Sequence, residues 1–219
     1  MKTILLPIAI LLSLTAHAQK RIIHTKAELT ASINNNPDKA LVNLTTFIPG
    51  IILDLRYATT NNFTHQILYT KAKTYLRIPT AEALKKVKAE LNKEGLGLII
   101  YDAYRPLSVT QKIWGLVRDS RYAANPANGS GHNRGLSVDL SIVDLKSGKP
   151  MNMGTDFDSF TDSAAHTSTK LDKQVLVNRK ILKTTMEKYG FKSLNTEWWH
   201  YSWPNDKGYE LLDVAFTEL

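Results

Sequence analysis

"SGHNRGLSVDL", residues 130–140, decides how this chain is read. It runs from a Gly/Ser-rich loop into a strand. Over "LSVDLSIVD", Leu136, Val138, Leu140 and Ile142 alternate with Ser137, Asp139 and Ser141. A period of two puts these sets on opposite faces of a strand. Asp139 therefore lies mid-strand on the face away from the apolar set, and His132 stands just ahead of it. On a half-buried strand that face is expected to be wet, and one aspartate there is ordinary. Gly131 and Gly135 let the loop backbone turn sharply, so the imidazole and the carboxylate could meet on one side of a sheet.

Two further stretches carry chemistry. In "NTEWWHYSW", Glu197 and His200 sit among aromatics. A carboxylate in such company costs free energy unless it is paired, solvated or protonated. The helical H-E-x-x-H arrangement is absent, so a metal site here would be built from strands and loops. Two histidines and one carboxylate make a catalytic zinc set with a fourth position for water. In "YDAYRP", Arg105 follows an apolar strand. Its guanidinium stays cationic and offers a planar fork of donors to an oxyanion, or it is a plain surface arginine. Spacing alone leaves open whether His200 shares a site with His132 and Asp139. His24, His65 and His166 fall in no motif, and Trp198 and Trp199 read as packing.

Working outward, "ELTASINNN" reads as a short helix and "NNNPD" as a turn. "GIILDLRYATTNNF" reads as a strand that becomes a polar loop. "PTAEALKKVKAELNKEG" is the clearest helix, with Thr80 as N-cap, Leu84, Val87 and Leu91 on one face, and Gly95 as the stop. "LGLIIYD" is a buried strand, and "SVTQKIWGLVRD" a helix with Ser108 as cap. "MGTDFDSFTDSAAHTSTK" is a long polar connection, which in a compact domain suggests function. "KQVLVNRKILKTTMEKYG" is a second strong helix, and "FKSLNTEWWHYSW" reads as strand. Strands and helices mix without regular alternation, so the expected class is α+β.

The 219 residues include no cysteine and carry a formal charge of +8. Any metal site must therefore use His, Asp or Glu. The lysines are scattered, as on the wet face of a helix, and no nucleic-acid motif is present. Residues 1–18, "MKTILLPIAILLSLTAHA", have the layout of a cleavable secretory signal peptide. Their apolar run is shorter than the roughly 20 residues a membrane span needs. The expectation is an exported protein, periplasmic or secreted, with one domain over 19–219. No span should remain after cleavage, and nothing in the sequence sets the oligomeric state.

Residues 130–139 resemble the S-x-H-x-x-G-x-A-x-D signature of the D-Ala-D-Ala metallopeptidases, with Ser137 in place of the usual alanine. "EWWH" resembles their E-x-x-H partner. "LRYATTNNF", "YDAYRP", "MGTDFD" and "EWWHY", in this order, resemble the D-alanyl-D-alanine dipeptidases, including those of vancomycin resistance. The resemblance covers about Asp54 to Tyr201. It implies a central, mostly antiparallel sheet flanked by helices, of the hedgehog and DD-peptidase kind. It also implies one zinc ion per chain on His132, Asp139 and His200, Glu197 as general base, and Arg105 at the oxyanion. Asp158, Ser130 and Tyr57 would bind the substrate, D-Ala-D-Ala. A related D,D-carboxypeptidase or endopeptidase, or a wall-binding domain without activity, are the alternatives.

Overall fold

The computed structural model describes residues 21–120 and 122–219. The signal-peptide reading of residues 1–18 falls outside the described residues. In chain order the strands are β1 (Ile22–Ile23), β2 (Leu41–Asn43), β3 (Ile52–Leu53), β4 (Tyr75–Arg77), β5 (Leu96–Asp102), β6 (Ser137–Asp144), β7 (Lys192–Leu194), β8 (Glu197–Ser202) and β9 (Leu211–Leu212). The α-helices are α1 (Lys26–Asn35), α2 (Leu44–Phe47), α3 (Ile78–Lys93), α4 (Leu107–Val117) and α5 (Lys173–Lys188). Five strands form the central sheet in the order β3-β5-β6-β8-β7, antiparallel except for β3 beside β5. Two small pairs, β1 with β9 and β2 with β4, lie apart from it. One apolar core runs from Ile23 to Phe216. The architecture is the α+β fold expected, a mostly antiparallel sheet with helices.

The helices follow local chemistry, with two corrections. α1 begins at a capping box, Thr25 accepting from the Glu28 amide while Glu28 reaches back. α3 buries Leu84, Val87 and Leu91 and stops before Gly95 at φ +72°. Thr80 is not its cap. The helix grows directly out of β4, with Arg77 as N-cap and Pro79 in the first turn, and Thr80 is buried inside it. Proline suits that place because its missing N–H would have no partner there. Ser108 does not cap α4 either. Pro106 holds that position, and the Ser108 amide donates to Asp213 Oδ1 at 2.8 Å, so the C-terminal tail supplies the capping oxygen.

β6 runs through the centre of the sheet, and here the expectation of a wet face is overturned. Val138, Leu140 and Ile142 are fully buried, yet so are Ser137, Asp139 and Ser141, at 0, 3 and 1 % exposure. At Ser141 the connection over 150–157 faces this side across a pocket, Ser137 packs against Ser202 and Gly131, and Asp139 meets His132, His200 and Arg105. "FKSLNTEWWHYSW" is a hairpin rather than one strand, with β7 and β8 paired across Asn195 and Thr196. Along β6, Asp139 stands opposite His200 of β8. On its other side the register with β5 shifts between Ile100 and Asp102, which puts Asp102 opposite Asp139. Such an irregularity re-aims side chains near functional sites.

The turn before β6 depends on one crowded glycine. Gly135 has φ +69°, and a Cβ there would stand 2.8 Å from Leu41 Cδ2 and 3.4 Å from the Arg77 amide nitrogen. Gly148 has φ +68° with nothing within 4 Å. A left-handed backbone costs a non-glycine residue about 1–2 kcal/mol. Gly148→Ala should lose about that much in urea unfolding, and Gly135→Ala distinctly more. Equal losses would show that the close approach to β4 carries no weight.

Candidate active site and metal centre

Asp139, His200 and His132 converge. His200 reaches Asp139 by cross-strand pairing, Nδ1 to Oδ1 at 2.9 Å. His132 comes from the short 3-10 turn His132–Arg134 just before β6. Its Nε2 lies 3.3 Å from Asp139 Oδ2 and 3.2 Å from His200 Nδ1. Each ring is held from behind. His132 Nδ1 is 2.7 Å from the Ala103 carbonyl, and His200 Nε2 is 3.0 Å from Ser202 Oγ. The carbonyl can only accept, so His132 carries its proton on Nδ1 and turns the Nε2 lone pair inward. The two inward ring nitrogens, 3.2 Å apart, lie within hydrogen-bond distance of each other. Among the described residues, these three side chains are the group whose ligand atoms could hold a metal ion, all within 4.8 Å of one another.

A cavity of about 220 Å³ opens onto this group. All eight residues singled out in the sequence line it: Tyr57, Arg105, Ser130, His132, Asp139, Asp158, Glu197 and His200. Glu197, at the start of β8, has Oε2 4.0 Å from His200 Nδ1. Asp158 has a left-handed φ of 58° and accepts a hydrogen bond from the Tyr57 hydroxyl at 2.8 Å. Arg105 lies against the Tyr57 ring, 5.0 Å from its centroid. Ser130 donates through its amide to Asn133 Oδ1 at 2.9 Å. Asp156, the other acid of "MGTDFD", lines the neighbouring polar pocket instead. Trp198 and Trp199 are buried packing, as expected, and His24, His65 and His166 are absent from the cavity wall.

Two residues essential to this arrangement escaped the sequence reading. Asp102, fully buried, grips Arg105 through Oδ2, at 2.9 Å from Nε and 2.7 Å from Nη2. Its Oδ1 accepts from the Tyr69 hydroxyl at 2.5 Å and the Ala103 amide at 2.9 Å. An Asp three positions before an Arg in "YDAYRP" was the available sign. Asn133, also fully buried, donates to the Arg105 carbonyl and to Thr110 Oγ1, both at 2.8 Å, and so ties the 130–133 loop to α4.

The electrostatics are lopsided. Asp102, Asp139, Asp158 and Glu197 stand around Arg105. Burial raises the Asp139 carboxyl, but the His132 and His200 rings outweigh it and hold Asp139 well below the usual carboxylate range. Burial likewise lowers His132, and Asp139 pulls it back above its ordinary value. At Glu197, 4.0 Å from His200 Nδ1, and at Asp158, bonded to the Tyr57 hydroxyl, such partners do not outweigh burial. Burial, with Asp139 adding repulsion, pushes each up to about 7.

A triad that could hold a metal ion beside a half-buried glutamate, in a small cavity on an antiparallel sheet, is the kind of site found in metal-dependent peptidases. More closely, the chain belongs to the D-Ala-D-Ala dipeptidase family, the Peptidase_M15 family, which matches residues 38–218. It is similar to the D-alanyl-D-alanine dipeptidase of Escherichia coli (strain K12), at 32% identity over 81% of this chain and 91% of that protein. It is also similar to the D-alanyl-D-alanine dipeptidase of Enterococcus faecalis (strain ATCC 700802 / V583), at 30% identity over 69% of this chain and 85% of that protein. A solved LdcB LD-carboxypeptidase aligns at a TM-score of 0.42 and 20% identity, over 74% of this chain and 67% of its own.

The raised acids have a measurable consequence. Folded Glu197 and Asp158 keep protons that the unfolded chain has released, from about pH 4 to about pH 7. Stability therefore falls as pH rises through that window, and raised His132 acts in the same direction. The melting temperature of metal-free protein should fall from about pH 5 to about pH 7.5, and the Glu197→Gln/Asp158→Asn variant should fall less. Identical pH profiles for the two proteins would contradict these assignments.

Proposed function

We propose that the protein is an exported zinc dipeptidase that hydrolyses D-Ala-D-Ala to two D-alanines. The observation that carries this reading is the cavity itself. At about 220 Å³ it is smaller than the roughly 300–1,000 Å³ of sites for drug-sized ligands. It has the metal triad and an unpaired acid, Asp158, on its wall. A dipeptide has an ammonium for Asp158 and a scissile carbonyl for the metal side. The names of the relatives support the same substrate, and the leader-like residues 1–18 support action outside the cytoplasm.

Zinc fits the donor set. Ligand atoms on a tetrahedron with bonds of about 2.0–2.1 Å are about 3.3 Å apart, against 3.2, 3.3 and 2.9 Å here. His132 Nε2, Asp139 and His200 Nδ1 would hold one zinc ion per chain, which supplies Lewis-acid polarisation of water and of the scissile carbonyl. Glu197 then takes the proton from the attacking water and passes it to the leaving nitrogen. A carboxyl near 7 can do both at neutral pH. Arg105 donates to the oxygen that gains charge, and Asp102 fixes its guanidinium plane. Asp158 accepts from the substrate ammonium, oriented by the Tyr57 hydroxyl, while Ser130 offers a hydroxyl on the opposite wall. A longer peptide has no free ammonium at that position, leaving Asp158 buried and unmatched.

Glu197→Gln should keep stoichiometric zinc and lose about 10²- to 10⁴-fold in kcat. Asp158→Ala should raise KM for D-Ala-D-Ala far more than it weakens zinc binding. The wild-type protein should release D-alanine from the free dipeptide and leave a muropeptide ending in D-Ala-D-Ala intact. Cleavage of the muropeptide alone would replace this reading with a D,D-carboxypeptidase. Unchanged turnover by Glu197→Gln would remove the assigned base.

A further inference from the structure

Two hydroxyls stand directly behind His200, and one belongs to the residue that departs from the family signature. Ser137 lies opposite Ser202 in the β6–β8 register, two residues before Asp139, which faces His200. The alternation of side chains puts all four on one face. Ser137 Oγ is 2.7 Å from Ser202 Oγ, which is 3.0 Å from His200 Nε2. His200 turns Nδ1 toward Asp139 and His132. An imidazole that offers the Nδ1 lone pair to a cation carries its proton on Nε2. That N–H donates to Ser202 Oγ, and the Ser202 hydroxyl shares a hydrogen bond with the Ser137 hydroxyl, in which either can donate. Ser137 is fully buried, so its oxygen is an acceptor that water does not replace.

The neighbouring glycine is matched to this arrangement. A Cβ at Gly131 would stand 1.9 Å from Ser137 Oγ and 3.4 Å from Ser202 Oγ, but 3.1 Å from Ser137 Cβ. The hydroxyl, more than the Cβ that any residue at 137 would bring, excludes a side chain at 131. Gly131 has φ −60°, so no backbone constraint demands glycine there.

We propose that Ser137 and Ser202 are positioning residues, a two-hydroxyl relay that fixes the tautomer and ring orientation of His200, and that Gly131 is glycine to make room for it. This rests on the zinc reading above. Partners that orient a metal-bound imidazole commonly change metal affinity 10–100-fold when removed.

Zinc affinity by chelator competition, and the melting temperature of the metal-free protein, test the relay together. Ser202→Ala should weaken zinc binding about 10- to 100-fold with little change in metal-free melting temperature, and Ser202→Thr should keep most of the affinity. Ser137→Ala, the signature residue, should weaken it several-fold and add nothing in the Ser202→Ala background. Gly131→Ala should destabilise the wild-type protein and be better tolerated beside Ser137→Ala. Wild-type affinity in both serine variants, or fully additive losses, would overturn the relay while leaving the metal centre intact. A wild-type protein that takes up no zinc would overturn both.

Discussion

Everything at this site follows from Asp139, a carboxylate 3 % exposed in the middle of a central strand. A buried charge without partners is very costly. Asp139 has three cationic or cationisable neighbours: His200, His132 and, at 3.8 Å, Arg105. Two of these are imidazoles whose remaining nitrogens are already held by a carbonyl and a hydroxyl. The same reasoning extends outward to Glu197 and Asp158, which burial pushes toward neutrality against the pull of Arg105.

Sheet geometry sets these distances. Antiparallel pairing of β6 and β8 brings together residues 61 positions apart in the chain. The register shift on β5 brings up Asp102, which fixes Arg105 beside Asp139. Asp102 and Asp139 would repel across the strands without that guanidinium, since opposed like charges destabilise a sheet. Elements on rigid strands position reactive groups more closely than loops do. Here the loops contribute Asp158 and Ser130 to the cavity wall, and Asn133 anchors the second of them.

Much of this was legible in the residues, and the exceptions share one cause. Helix α3, strand β5 and the alternation of β6 follow from local pattern, and the motif residues were all found on one cavity wall. Asp139's face was misread as wet because two of the side chains against it, Arg105 and His200, come from other parts of the chain. Ser108 was misread as a cap because the capping oxygen belongs to Asp213, 105 positions away. Asp102 went unnoticed because a register irregularity, invisible in a list of residues, aims it at the site. Chemistry carried by residue type can be read from a sequence, whereas burial and remote partners depend on the packed fold.

The central claim is that His132 Nε2, Asp139 and His200 Nδ1 share one cation. Anomalous scattering from crystals of zinc-loaded protein, collected on both sides of the zinc edge, tests it most directly. The account predicts one peak per chain, about 2.0–2.2 Å from all three side chains. A peak bound elsewhere, or no peak at this triad in protein loaded with excess zinc, would contradict it.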